Sequence, residues 1–254
     1  MDKKTIKILI LVILLHVAFF GAIWYFAVHR KHKTTNNPPP SYVGVKPNPE
    51  DCVHPDGIDL SHHNVAYDWS RVDAKFVYGR ATMGCNIVDK RYDIHRKAAG
   101  RHDIPFGAYH FLTAKTSAKR QFEHFASVVD KSHLQLRPML DVEEGPSWNA
   151  PKGFSDIDAH NLIREWCTLC KKHYGKAPII YTTEKLYQRY KLHQDFDDCI
   201  WWVANYNNIT NFENKCIIPY VIHQYSDTNY VEGFYGKIDC NRFRTNKSVN
   251  DLKI

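Results

Sequence analysis

The sequence predicts an α/β barrel tethered behind a membrane-spanning helix. Three observations predict it: a long uncharged apolar run near the start, eight short apolar or β-branched runs further on, and amphipathic stretches between several of those runs.

Residues 1–7 hold Lys3, Lys4 and Lys7 and read as a short basic tail. Residues 8–28 carry no formal charge, and at roughly 1.5 Å per residue a helix of that length spans the roughly 30 Å of bilayer hydrocarbon. The run is too long for the core of a signal peptide, shows no small-x-small cleavage site and ends in the basic cluster HRKHK. It therefore reads as an uncleaved transmembrane helix, a signal-anchor. Equal numbers of Lys and Arg flank it, so charge does not set its orientation. Residues 29–50 form a basic and then proline-rich linker with five prolines. Such a tether can hold the next domain up to about 60 Å from the membrane.

The net charge of +7 suggests a nucleic-acid partner until it is located. Six of the 34 basic residues lie in the first 40 positions against one acid, which leaves 28 basic and 26 acidic side chains for the rest. That balance excludes a basic groove for nucleic acid.

Residues 51–254 show no fixed-period repeat and read as one domain. The candidate strands are GIDLS from Gly57, KFVYGRAT from Lys75, PFGAYHF from Pro105, RPMLDVE from Arg137, APIIYTT from Ala177, CIWWVANY from Cys199, YVIHQYS from Tyr220 and GKIDCN from Gly236. Helical spacing marks residues 92–100, 117–130 and 155–174, the last opened by Ser155 and Asp158 in the manner of a capping box. Alternating strand and helix predicts a parallel sheet, and eight strands predict a closed barrel. The last three strands have short connections with weak helical patterns, so the final third departs from a regular (β/α)8 barrel.

Parallel barrels gather their chemistry at the carboxyl ends of the strands. There the sequence offers Asp59, His110, Asp141 with Glu143, Tyr181, Asn205, Gln224 and Asp239. Asp141 and Glu143, two apart, project to the same side. Mutual repulsion and burial raise the pKa of one and let it stay protonated as a general acid. The first and last strands of a closed barrel are neighbours, so Asp59 and Asp239 join the same rim. Four acids with no compensating cluster of Lys or Arg point to glycosidic bond cleavage, which needs a protonated acid beside an ionised carboxylate. Tyr109, Phe111, Tyr181, Trp201, Trp202, Tyr206 and Tyr225 lie on the same strands and offer walls for sugar rings, about half of them facing away. His62, His63 and His110 could ligate a metal, but no H-x-x-x-H or C-x-x-C pair sits at the strand ends, so neither metal nor cofactor is expected.

Seven cysteines leave at least one unpaired within the chain. Cys167 and Cys170 read as turn-spaced core thiols, whereas Cys199 with Cys216, or Cys52 with Cys240, could bond in an oxidising compartment.

The segments GIDLSHHN, RATMGCNIVDKRYDIHRKAAG, PFGAYHF, MLDVEE, IIYTT, WWVANY, HQYS and KIDCN resemble, in order and spacing, glycoside hydrolase family 25, the Chalaropsis-type lysozymes. The resemblance spans residues 56–243. It implies a modified TIM-like barrel, (β/α)5(β)3, and a retaining 1,4-β-N-acetylmuramidase that cleaves between N-acetylmuramic acid and N-acetylglucosamine in peptidoglycan. By position, Glu143 would be the acid/base and Asp141 its partner, either as nucleophile or by orienting the substrate's own 2-acetamido group. Asp59 and Asp239 would complete the catalytic acids, and Tyr109, Tyr181, Trp202 and Gln224 would line the sugar groove. Met83 departs from the family, whose members often carry an acid before the glycine. A wall substrate in turn implies that the domain lies on the periplasmic or extracytoplasmic side, with the amino terminus cytoplasmic. The competing readings are a wall-binding module without turnover and a chitinase-like amino-sugar hydrolase.

Overall fold

The computed structural model describes residues 44–207 and 209–254. The expected transmembrane helix, and all but the end of the expected linker, lie outside the described residues. Residues 44–254 form one compact unit.

Eight strands close into a ring: β1 (Gly57–Leu60), β3 (Phe76–Met83), β5 (Phe106–Phe111), β6 (Met139–Asp141), β7 (Ile179–Thr182), β8 (Ile200–Ala204), β9 (Ile222–Tyr230) and β11 (Lys237–Phe243), with β11 pairing back to β1. All eight correspond to the runs read from the sequence. Short strands complete the set: β2 (Val65–Ala66) pairs with β10 (Phe234–Tyr235), and β4 (Ile87–Val88) extends β3. The helices are α1 (Tyr92–Arg101), α2 (Ala118–Val128), α3 (Asp156–Tyr174), α4 (Glu184–Arg189), α5 (Phe212–Lys215) and α6 (Val249–Leu252). The predicted capping box of α3 is formed, and Gly175 ends that helix at φ +86°.

The expected all-parallel sheet is corrected at one strand. Pairing is parallel from β1 through β9, but β11 runs antiparallel to both β9 and β1. Residues 231–236 join β9 to β11, too short for the crossover of roughly a dozen residues that a parallel return requires. The barrel is therefore mixed. Between β1 and β3 there is no α-helix either, only β2 and a 3-10 turn at Trp69–Arg71.

Alternation along the strands sorts the core into two layers. Val77, Ala108, Leu140, Ile180 and Val203 face outward onto Phe122 and Phe125 of α2 and Ile163 and Trp166 of α3. Phe76, Tyr78, Tyr109, Met139, Ile179, Tyr181, Trp202 and Ile222 fill the barrel interior. The interior is an aromatic plug, with Trp202 edge-on to Tyr78 at 5.2 Å and to Phe76 at 5.8 Å between ring centroids. Two glycines make room for it. A Cβ on Gly57 would lie 2.2 Å from the Phe76 ring, and one on Gly107 would lie 2.3 Å from the Tyr78 ring.

Candidate active site

Above the aromatic plug, at the carboxyl ends of the parallel strands, a cavity of about 250 Å³ is lined by carboxyls and aromatics. Asp59, Asp141, Glu143 and Asp239 all face it, together with Tyr109, Tyr181 and Gln224. Seven of the eight residues read from the sequence thus converge. The eighth, Trp202, does not: it is fully buried beneath the cavity, and its indole donates to Asn241 Oδ1 at 2.9 Å. His110 also turns away. It is buried between the sheet and α2, against Thr82 (2.8 Å) and Gln121 (3.2 Å), and burial lowers its pKa to about 3. No group of three potential metal ligands forms among the described residues.

Asp239 reaches the rim by a different route from the one the sequence suggests. It stands third in β11, near the start of the strand, where a parallel strand would carry it to the opposite end of the barrel. Because β11 is antiparallel, Asp239 lies directly across from Asp59.

Asp59 is buried, and its Oδ2 accepts from Gln224 Nε2 at 2.9 Å and Asn241 Nδ2 at 2.8 Å. Gln224 Oε1 in turn accepts the hydroxyls of Tyr181, at 2.8 Å, and of Tyr206. Burial raises the Asp59 pKa to about 6 against the pull of those donors. Asp239 rises to about 8, through burial and then the charge of Asp59.

Asp141 ends β6, and Glu143 follows two residues on, hydrogen-bonded to it. Burial holds the Asp141 carboxyl well above the usual range, and the charges of Glu143 and Asp59 add to the effect. Glu143 is raised by burial but pulled back by its bond to Asp141 and by Arg80. Burial and mutual charge thus favour a proton shared within the pair, as the spacing predicts. Asp141 Oδ1 is buried without a partner. Glu144, of the same type and one residue on, is drawn away: Arg189 of α4 holds it at 2.8 Å, and Tyr190 donates to it.

The sequence reading missed Arg80, a cation set among the acids. Its Nε donates to Asp89 at 2.9 Å, and its guanidinium lies against His62. Asp89 is buried and also accepts the backbone N–H groups of His62 and Arg91, both at 2.9 Å. The signal was available, since Arg80 stands two after Tyr78 and so faces the barrel interior. Asp227, Phe111 and Tyr206 complete the acidic and aromatic wall.

A larger cavity of about 690 Å³ lies along the outer flank of α3. Two of its carboxylates are already paired, Asp195 with Arg164 at 3.6 Å and Asp198 with Lys171. Cys167 and Cys199 line it as neighbouring free thiols, and Cys216, the partner the sequence allowed Cys199, is free as well. Cys52 and Cys240 are free as well.

Comparison with known proteins agrees with this geometry. The protein is 29% identical over 205 residues to YegX of Escherichia coli (strain K12), covering 78% of this chain and 71% of that one. It is 28% identical over 204 residues to Lysozyme M1 of Streptomyces globisporus, covering 77% and 69%. The bacterial lysozyme from Streptomyces coelicolor superposes with a TM-score of 0.66 at 28% identity, covering 77% of this chain and 94% of that one. The profile of Glycosyl hydrolases family 25 matches residues 58–234, more than half of the chain, and the protein belongs to that family.

Proposed function

We propose that the protein is a lysozyme-type glycoside hydrolase, a 1,4-β-N-acetylmuramidase acting on the glycan strands of bacterial peptidoglycan. Membership of the family and the likeness to Lysozyme M1 support the activity. The observation that carries the chemistry is the Asp141–Glu143 pair, a buried and a half-buried carboxyl whose burial and mutual charge favour sharing a proton, at the floor of an aromatic cleft.

In this reading the bound sugar redistributes that proton. The 2-acetamido N–H of the substrate meets the unpartnered Oδ1 of Asp141 and favours its ionised form, so the proton passes to Glu143. Glu143 protonates the departing glycosidic oxygen. Asp141 aligns the acetamido carbonyl oxygen for attack on the anomeric carbon, closing an oxazolinium ring. Glu143, now ionised, draws a proton from the water that opens the ring, and the anomeric configuration is retained. Asp59 and Asp239 bind and orient the sugar beside them, and Tyr109 and Tyr181 wall the cleft.

Digestion of purified peptidoglycan, with identification of the new reducing ends, tests the activity. Muramic acid ends are expected. Intact glycan would leave a wall-binding module, and release from chitin alone would indicate a chitinase-like hydrolase. We further propose a single-pass anchor, with the amino terminus cytoplasmic and the domain on the extracytoplasmic side, a reading that the uncharged run of residues 8–28 and a wall substrate support. A reporter fused after Ile254 should be active only outside the cytoplasm. Activity inside would overturn the orientation.

A further inference from the structure

Asp59 and Asp239 face each other across the antiparallel seam that closes the barrel. Two carboxylates directly opposite repel, and the pair relieves that repulsion by sharing a proton. Their remaining partners decide which carboxyl holds it. Oδ2 of Asp59 accepts two N–H bonds, from Asn241 at 2.8 Å and Gln224 at 2.9 Å, so that oxygen cannot carry a proton and charge on Asp59 is stabilised. No such pair of donors reaches the Asp239 carboxyl among the described residues.

The two amides differ in how firmly they are oriented. Gln224 faces the hydroxyls of Tyr181 and Tyr206, which can donate or accept. Asn241, fully buried, faces the indole N–H of Trp202 at 2.9 Å, a group that only donates. The amide oxygen must therefore point to Trp202 and the amide N–H to Asp59. We propose that Asn241 is a positioning residue: locked by Trp202, it keeps Asp59 ionised and leaves the shared proton on Asp239, which meets the bound sugar as a neutral hydrogen-bond donor.

The other groups around the pair do not make this distinction. Asp141 and Glu143 from the end of β6 and Asp227 from β9 add negative charge on one side, and Arg80 from β3 adds positive charge. The phenols of Tyr109, Tyr181 and Tyr206 are held protonated by burial, as is the Cys240 thiol, pushed up to about 12. The higher proton affinity of Asp239 over Asp59 agrees with the assignment.

Only the role toward sugar rests on the glycosidase reading, and the test separates the two. The full-length protein, labelled with ¹³C at its aspartate carboxyls, is titrated by NMR, with Asp59→Asn and Asp239→Asn assigning the two resonances. Asp239 should titrate above neutrality and Asp59 below it. In Asn241→Leu the Asp59 midpoint should rise by roughly one to two pH units, the worth of one charge-assisted hydrogen bond. Trp202→Phe, which frees the amide without removing it, should shift the midpoint the same way by less, and it carries the test if Asn241→Leu does not melt cooperatively. An unmoved Asp59 midpoint in a folded variant, or a reversed order in the wild type, overturns the proposal. On peptidoglycan, Asp239→Asn keeps a neutral donor and should lose less than roughly tenfold in kcat/KM, while Asp59→Asn should lose at least about a hundredfold. Equal losses overturn the donor role. A wild-type protein that titrates as expected but releases no muramic acid ends refutes the muramidase reading alone.

Discussion

The rim of the barrel carries two carboxyl pairs built in opposite ways. Asp141 and Glu143 come from one strand end, two residues apart, and their meeting follows from the pleat of the chain alone. Asp59 and Asp239 come from opposite ends of the domain and meet only because β11 turns back antiparallel to close the ring. In the first pair, Asp141 is buried with one carboxyl oxygen left without a partner, as a group awaiting substrate would be. In the second, Asp59 is held in advance by two amides, one of them bonded to a tyrosine hydroxyl. The contrast separates a pair poised to exchange a proton during the reaction from a pair whose proton is held in place.

The largest expected effect comes from breaking the exchanging pair. Glu143→Gln preserves shape but cannot donate a proton, so turnover on peptidoglycan should fall by at least roughly 10²- to 10⁴-fold with binding retained. A substrate with a good leaving group, which departs with little protonation, should partly rescue it. Near-normal turnover in a folded Glu143→Gln protein would remove Glu143 from the acid role.

Asp141→Asn should cost less activity, because an amide can still hydrogen-bond an acetamido group, and the good leaving group should not rescue it. The structure adds a second expectation. Asp141 is the more strongly perturbed of the two, through burial beside Glu143 and Asp59, so replacing it with a neutral isostere should raise Tm while activity falls. A lower Tm would show that the Asp141 carboxyl stabilises the fold and that the account of its burial is wrong.

What could be read from the sequence follows the same division. The period-two alternation of runs such as FVYGRAT and IIYT located all eight ring strands, and the D-x-E spacing located the first pair. Strand direction is not encoded in alternation, so β11 was assigned the common parallel sense, and Asp239 was placed at the rim by counting it as the end of a strand that in fact runs on to Phe243. The six-residue link before β11 was the available signal. Trp202 and His110 were misplaced because period two says which residues share a face but not how deep each lies. Trp202 falls one layer below the rim, and His110 falls on the outer face beside Leu140. Arg80 was overlooked because its counter-ion, Asp89, lies beyond β4 and joins it only through the fold.

The smallest effect expected is on stability, and it tests the held pair. Asp59, at about 6, and Asp239, at about 8, bind protons in the folded protein that an unfolded chain with ordinary carboxyls has already released. Stability from both, and from the raised Asp141, is therefore present at low pH and lost as pH rises through the folded values. Three buried histidines act in the opposite sense. His95 and His223, lowered to about 4, and His110, lowered to about 3, stay neutral in the fold while the unfolded chain takes up protons below roughly pH 6.5. Their contribution is complete above that pH and lost below it. Between about pH 6.5 and 8, below the range in which an unfolded chain would ionise the raised thiols of Cys167, Cys170, Cys216 and Cys240, the carboxyls dominate, so Tm should fall by several degrees, Asp239 alone accounting for on the order of 1 kcal/mol. Below pH 6.5 the histidines offset the carboxyls, and the curve should flatten and then turn down. Asp239→Asn removes the group that titrates highest and should flatten the alkaline slope while leaving the acidic one. An alkaline slope unchanged in Asp239→Asn would mean that the seam holds no shared proton, and the distinction between the two pairs would fail.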